Sequence, residues 1–93
     1  MARWLQSGTR RDLCVLLAAA EDGELPAQAL KTRLERHYDD RIDPKQFYGA
    51  LEAMERQGFV TARTEDLSDV YALTDAGERG LREHYAWLRD RLE

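Results

Sequence analysis

Residues 43–58, with the sequence DPKQFYGALEAMERQG, decide the fold of this 93-residue chain. Asp43 is a favoured N-cap residue, Pro44 suits the first helical position, and Gln46 completes the D-x-x-Q pattern of a capping box. At the other end, Gly58 easily takes the left-handed conformation in which many helices stop. The stretch therefore predicts a helix whose two ends are both fixed by local sequence.

This helix is predicted to have one apolar face. Phe47, Leu51 and Met54 recur at i, i+4 and i+7, so they form a single stripe that we expect in the core. The opposite side carries Lys45, Gln46, Tyr48, Gly49, Glu52 and Arg56. A thin core stripe with donors in the first turn suits a helix that reads a DNA groove. The alternative is an ordinary amphipathic core helix, and the flanking sequence has to discriminate.

Length and composition predict one small globular domain. The longest apolar run, residues 13–20, is far shorter than the roughly 18 residues that a membrane span needs. The first residues do not have the pattern of a signal peptide. A single cysteine, Cys14, excludes an internal disulfide framework and suits a reducing compartment. We therefore expect a cytoplasmic protein with no membrane partner.

The charge balance gives weaker guidance. Fourteen basic and 18 acidic residues give a formal net charge of −4, which is not the basic balance typical of nucleic-acid-binding proteins. The distribution is uneven: residues 1–20 carry three arginines and one aspartate, whereas residues 59–74 carry one arginine and three acids. Basic charge is thus concentrated near the N-terminus.

The first helix is predicted to begin at a Thr9 cap, with Asp12 three residues later, and to run to about Ala20. Its apolar residues occupy two opposite sides, so we expect a central helix that is buried nearly all round. One side carries Leu13, Leu16, Leu17 and Ala20, and the other carries Val15, Ala18 and Ala19.

A second helix is predicted from Pro26 to about Tyr38, after a brief bridge at Leu25. Residues 39–42 then form a short turn before the Asp43 cap. Two helices joined by a few residues, the second of them short and well capped, are typical of a helix-turn-helix.

The hydrophobic period changes from 3.6 to 2 after Gly58. Residues 59–63 predict one strand, residues 70–73 its antiparallel partner, and residues 64–69 the connection between them. A hairpin directly after the third helix is the wing of a winged helix. Thr74 then caps a final helix, with Asp75 near its positive end.

The final helix has more apolar surface than a small domain covers by itself. Its seam of Leu81, Tyr85, Leu88 and Leu92 alternates by four, three and four residues, and Trp87 lies away from that seam. We expect a second copy of the chain to cover this surface, together with Trp4 and Leu5. In the alternative, the N-terminal arm folds back on its own chain and buries Trp87.

Two segments, FYGALEAMERQGFV (residues 47–60) and VYALTDAGERGL (residues 70–81), resemble the PadR-like winged-helix transcriptional regulators, with a likeness that extends over residues 13–81. The resemblance implies a homodimer built on the C-terminal helix that binds a palindromic operator, often as a repressor. The matching residues are Phe47, Tyr48, Leu51, Glu52, Met54, Gly58, Phe59, Val60, Tyr71, Leu73, Thr74 and Gly77.

The predicted fold is therefore mainly α with a small β-hairpin (α+β), a winged helix-turn-helix in the order α-α-α-β-β-α that ends in a C-terminal dimerisation helix. We expect one domain over residues 1–93, in which residues 74–93 and the arm of residues 1–8 form the dimer interface. The wing departs from the family, because its tip is acidic and only Arg63 stands beside it.

The candidate DNA-binding residues fall into two groups. Lys45, Gln46, Tyr48 and Gly49 lie in the first turns of the recognition candidate, where a winged helix faces the major groove. The arginines that could hold phosphates are Arg10 and Arg11, which we expect before the first helix, with Arg41 and Arg63. In the alternative, Gln46 serves only the capping box and Tyr48 only packs.

Other chemistry has little support in the sequence. Cys14 lies beside an apolar stripe, so we expect a small buried hydrophobe and not a redox sensor. His37 and His84 do not have metal-ligand spacing with Cys14. No phosphate loop, nucleophile elbow or paired acid and base is present. We expect no metal, no cofactor and no enzymatic activity.

These features predict a cytoplasmic, homodimeric regulator that binds double-stranded DNA through the helix of residues 43–58. The alternative from another class is a winged-helix protein-interaction module with little or no DNA binding, which the acidic wing and the Trp87 surface favour. Whether the protein binds a small-molecule effector stays open, because the sequence does not indicate an effector pocket.

Overall fold

The computed structural model describes residues 8–93. Their elements follow the order α1 (Gly8–Ala19), β1 (Glu24–Pro26), α2 (Ala27–Tyr38), α3 (Pro44–Arg56), β2 (Val60–Glu65), β3 (Ser68–Leu73) and α4 (Asp75–Leu92). The predicted sequence of three helices, a hairpin and a long final helix is confirmed. The bridge expected at Leu25 is a strand of three residues, β1.

The sheet is antiparallel, with β3 between β1 and β2. Leu25 of β1 pairs with Tyr71 of β3, and Val60 of β2 pairs with Leu73. These four residues alternate with outward-facing ones, because side chains in a strand alternate between its two faces. The inward face of the sheet, where Leu25, Val60 and Tyr71 are buried, packs into the helical core.

The hairpin is tighter than the sequence predicted. The strands continue to a Glu65–Ser68 pair, so the connection is only Asp66 and Leu67 and not residues 64–69. Both residues have positive φ, 50° at Asp66 and 67° at Leu67. Positive φ at both central positions is the geometry of a type I′ turn, whose twist matches that of the paired strands. A leucine is unusual there, and Leu67 is fully exposed at the tip.

The core lies between the helices and the sheet, and its position follows the predicted stripes. Phe47, Leu51 and Met54 of α3 have no exposed surface, as expected. The remaining buried residues that form one cluster with them are Leu13, Cys14, Leu17, Ala20, Leu25, Ala27, Leu30, Leu34, Val60 and Tyr71.

Two expectations about α1 are wrong. Thr9 lies inside the helix and not at its cap, so Arg10 and Arg11 are helical as well and do not precede it. Burial is also one-sided: Val15, Ala18 and Ala19 are exposed, because the elements described between residues 20 and 93 cover only the opposite side of the helix. Apolar residues on two sides therefore did not mean burial on two sides.

The two ends of α3 differ in how well the sequence predicted them. Asp43 is the N-cap, but its side chain makes no capping hydrogen bond, so the expected capping box with Gln46 is wrong. Both side chains are exposed, and water competes for them there. The Gly58 stop is confirmed: with φ of 81°, Gly58 donates its N–H to the Glu55 carbonyl, and the Phe59 N–H reaches the Met54 carbonyl. This pair of bonds is a Schellman motif.

The α3–α4 junction, formed by Gly58, Phe59, Thr74 and Gly77, joins the end of the third helix to the start of the fourth. The Thr74 hydroxyl donates to the Gly58 carbonyl at 2.5 Å and accepts from the Gly77 N–H at 3.1 Å. The Thr74 N–H donates to the Phe59 carbonyl at 3.0 Å. A Cβ atom at Gly77 would overlap that same carbonyl oxygen. The predicted Thr74 cap is thus confirmed, and it also ties α4 to the end of α3.

We predict that Gly77→Ala destabilises the fold by roughly 1–3 kcal/mol, since backbone atoms of Phe59 occupy the place of the new methyl group. The matched control is Gly49→Ala, also within a helix, where a Cβ meets no atom within 4 Å. That change should stabilise the chain by about 0.5–1 kcal/mol. Urea unfolding of both variants measures the difference. Equal effects at the two glycines would contradict the close approach at the junction.

Candidate nucleic-acid interface

The N-terminal half of α3 presents its polar residues to solvent. Lys45, Gln46, Tyr48 and Gly49 are all exposed, whereas Phe47 between them is completely buried. Tyr48 keeps 41% of its surface accessible and meets the Phe47 ring edge to face, with 5.1 Å between ring centroids. Packing therefore accounts for only part of Tyr48, and its hydroxyl is available to a partner molecule.

The first turn of α3 suits an anionic partner. Because the side chain of the N-cap residue Asp43 makes no capping hydrogen bond, it leaves the amide groups at the positive end of the helix dipole for another partner. Among residues 8–93, no carboxylate forms an ion pair with Lys45. Gln46 takes no part in a capping box, so the alternative prediction that it serves only this box is wrong. Charge and hydrogen-bonding capacity thus converge on one exposed turn.

Gly49 leaves this surface open. A Cβ atom there would meet nothing within 4 Å, so packing inside the protein does not require a glycine. The missing side chain instead lets another molecule approach the α3 backbone closely.

The same exposed side continues to the end of the helix. Glu52 and Arg56 are exposed. Glu52 follows Gly49 by three residues and Arg56 follows Glu52 by four, so both lie on the same side of the helix as Lys45 and Gly49. The sequence placed both outward but did not include them among the candidate binding residues.

The turn between α2 and α3 is held by the Glu35 carboxylate. It accepts a hydrogen bond from Lys31 Nζ at 2.9 Å and another from the Ile42 backbone N–H at 2.9 Å. These bonds, the one from Ile42 first, hold the pKa of Glu35 below its usual value, and Arg41 adds to the effect. Arg41 itself is exposed in this turn. Glu35 thereby fixes where α3 begins relative to α2.

Arg63, a predicted phosphate contact, is bound by two carboxylates instead. Its Nη1 donates to Glu24 Oε1 at 2.8 Å, and its Nη2 donates to Glu24 Oε2 at 2.5 Å and to Glu65 Oε2 at 2.6 Å. Bonds to Glu24 and then Glu65 raise the pKa of Arg63, and the same contact lowers the pKa of Glu24. A phosphate would have to compete with two carboxylates for this guanidinium.

The other candidate arginines lie on α1. Arg10 and Arg11 are half-buried in its first turns, and both already interact with other residues. The structure therefore brings together the four candidates on α3, with Arg41 in the turn just before that helix. Contact of any of these residues with DNA stays a prediction.

The distal half of α4 exposes much of the predicted seam. The accessible fractions are 60% for Tyr85, 36% for Leu88 and 78% for Leu92, whereas Leu81 packs against the core. Trp87 lies half-buried away from these residues, stacked on His84 with 5.9 Å between centroids and with the Arg91 guanidinium 4.2 Å from its ring centre. Trp4 and Leu5 fall outside the described residues.

Cys14 is a buried hydrophobe, as predicted. It has no exposed surface, and burial raises the pKa of its thiol to about 12. Within residues 8–93, no group of three or more His, Cys, Asp or Glu side chains could hold a metal ion. In the same part of the chain, no helix has the length and apolar character needed to cross a membrane.

Comparison with known proteins gives a family match. The model of the transcriptional regulator PadR-like family matches residues 16–83. No curated protein matches the chain.

Solved structures of low sequence identity share the fold. RosR of H. salinarum, in a structure grown from NaBr, is 21% identical with a TM-score of 0.87, over 98% of this chain and 80% of that one. A homodimeric winged helix-turn-helix DNA-binding domain of Mycobacterium bovis, a possible ArsR-family regulator, is 23% identical over 94% and 73%, with a TM-score of 0.75. A MarR family regulator of Streptomyces coelicolor is 24% identical over 80% and 48%, with a TM-score of 0.67. The predicted winged helix-turn-helix fold is thus confirmed.

We predict that Glu35→Gln lowers the free energy of unfolding at pH 7, because a neutral amide binds Lys31 and the Ile42 N–H more weakly. The lowered pKa of Glu35 means that the stabilisation is complete above the unfolded-state value of about 4.3. It is lost as the pH falls through the folded-state pKa. Urea unfolding at successively lower pH should therefore show the variant and the wild type converging.

The control for this experiment is Glu83→Gln, an exposed carboxylate on α4. It should leave stability at pH 7 unchanged. A deficit in Glu35→Gln that persists undiminished in acid would contradict the role assigned to the charged carboxylate.

Proposed function

The chain belongs to the PadR-like family of DNA-binding transcriptional regulators, and we propose that it acts as a homodimer that represses transcription from a palindromic operator. The observation that carries the proposal is the exposed first half of α3, where Lys45, Gln46 and Tyr48 surround Gly49. Family membership points to a transcription factor and not an enzyme. Such a regulator works beside the chromosome, so we place it in the cytoplasm.

Each residue of this surface has a role that its chemistry supports. Gln46 can pair with the N6 and N7 atoms of adenine, and Lys45 can donate to guanine or to a phosphate. Tyr48 and Arg41 contact phosphates and fix the position of α3 without reading sequence. Arg10 and Arg11 are further candidates for phosphate contact.

Dimerisation is proposed through the exposed seam of α4. Tyr85, Leu88 and Leu92 form an apolar surface that a second copy would cover, extended by Leu81, Trp87 and, from the sequence, Trp4 and Leu5. The homodimeric state of the M. bovis domain supports a dimer, without indicating which surface forms it. Two copies related by a twofold axis place their α3 helices in half-sites about one helical turn apart, or a small multiple of it.

A protein-interaction module is the second candidate. The acidic wing favours it, since the fully exposed Leu67 stands among carboxylates that would repel DNA phosphates. A gel-shift titration on DNA from upstream of the gene, repeated at rising salt, separates the two. Steep salt dependence with sequence preference supports the regulator. No binding at low salt supports the interaction module.

We predict that Lys45→Ala combined with Tyr48→Ala weakens DNA binding by at least about tenfold, because two contacts to the duplex are lost. The fold should be retained, since both side chains are exposed. Fluorescence anisotropy gives the affinity, and thermal unfolding by circular dichroism checks the fold. Arg79→Ala, which is exposed on α4 opposite the seam, is the control for loss of one positive charge. Unchanged binding by the double variant would remove α3 from the proposed interface.

We predict that Leu88→Arg combined with Leu92→Arg converts the dimer to monomers, since four charges would meet at one apolar interface. Sedimentation equilibrium measures the change. Added positive charge by itself favours DNA binding, so a fall in affinity would report the lost dimer directly. Glu83→Arg, on the opposite side of α4, should leave the protein dimeric. A double variant that stays dimeric would place the interface elsewhere.

A further inference from the structure

Ion pairs of Arg63 join the wing, the β2–β3 hairpin, to β1. Because the strand order is β1-β3-β2, the Arg63 side chain crosses β3 to reach Glu24 on β1, and it also binds Glu65 on its own strand. Arg63 stands opposite Val70, which is only 7% exposed although it lies outside the core cluster. Cross-strand neighbours in this register share one face of the sheet, so the aliphatic part of Arg63 lies on the same face as Val70. The charge of Arg63 is thereby held along the outer face of the sheet.

The tip of the wing keeps uncompensated negative charge. Residues 60–73 contain one basic residue, Arg63, and three acids, of which Glu65 shares the arginine with Glu24. Within the described chain, neither Asp66 nor Asp69 has an ion-pair partner. Asp69 accepts only a hydrogen bond from the Thr64 hydroxyl, at 3.1 Å.

This charge lies beside the proposed DNA-binding surface. Tyr71, on β3, has its pKa raised by burial first, and then by Asp69 of the wing and by Glu55, Tyr48 and Glu52 of α3. Asp69 lies two residues before Tyr71 on β3 and therefore shares the face of the sheet that packs against the helices. Because the hairpin follows α3 directly, a duplex bound at α3 would bring its phosphates towards this face of the wing.

We propose that the wing limits the affinity of this protein for DNA: the Glu24–Arg63–Glu65 clasp holds its one cation away from phosphates, and Asp66 and Asp69 repel them. The inference rests on the proposed function. Electrostatic contact with phosphates supplies essentially all non-specific binding. A wing that opposes this contact lowers occupancy of the many competing genomic sites, and leaves α3 to select the operator.

The first test neutralises the tip with Asp66→Asn and Asp69→Asn. Asparagine tolerates the left-handed conformation at position 66, and at position 69 it still accepts from Thr64. At 0.1 M salt, binding to a non-specific duplex should tighten by about three- to tenfold, and the gain should shrink as salt screens the charges. The control is Glu83→Gln with Asp90→Asn, the same change of net charge on the exposed side of α4, which should have less than half that effect.

The second test opens the clasp with Glu24→Gln and Glu65→Gln. Freed from both carboxylates, Arg63 can reach a phosphate, so affinity should rise and the plot of log K against log salt should steepen by about 0.9 for each protomer. Arg63→Ala in the otherwise unchanged protein should leave that slope as it is. Circular dichroism confirms that each variant is folded before its binding is measured.

Three results would overturn the proposal. The first is that both double variants bind no more tightly than the α4 control. The second is that Arg63→Ala flattens the slope by about 0.9, because this loss would show that Arg63 already contacts a phosphate. Absence of any DNA binding by the wild type would overturn the proposed function as well. Wild-type binding that the wing variants leave unchanged overturns this inference alone.

Discussion

The hydrogen bonds of Thr74 at the α3–α4 junction are the constraint on which the rest of the structure depends. One side chain closes the start of α4 and holds the carbonyl at the end of α3. The approach is possible because Gly77 has no side chain to separate the two segments. The hairpin leaves this junction at Val60 and returns to it at Leu73. The helix α3, the hairpin and the helix α4 are therefore oriented from one place.

The sequence predicted those parts of the fold that depend on neighbours along the chain. Helical spacing identified Phe47, Leu51 and Met54 as core, and Gly58 and Thr74 mark the ends of two helices because the bonds they make are local. The same local information predicted which residues of α3 face outward. Their contact with DNA stays a prediction, because it depends on a partner molecule.

Other features depend on contacts that local sequence does not describe. The Arg63–Glu24 pair joins residues 39 positions apart, and it forms only because β1 adds to the sheet beside β3. Val15 is exposed because no element of residues 8–93 covers that side of α1, although the composition of that side resembles that of the buried side. The capping box fails at an exposed helix start, where a hydrogen bond from the Asp43 side chain gains little over one to solvent.

The buried thiol has a consequence for how two copies would stay together. Cys14 is the one cysteine of the chain, it is completely buried, and its pKa of about 12 keeps it protonated at neutral pH. A disulfide between copies through Cys14 is therefore closed off, and the α4 interface, as proposed, would be held by noncovalent contacts. Its population would then follow mass action. Operator occupancy would rise more steeply than the protein's concentration, so the cell could set the response by how much of the protein it makes.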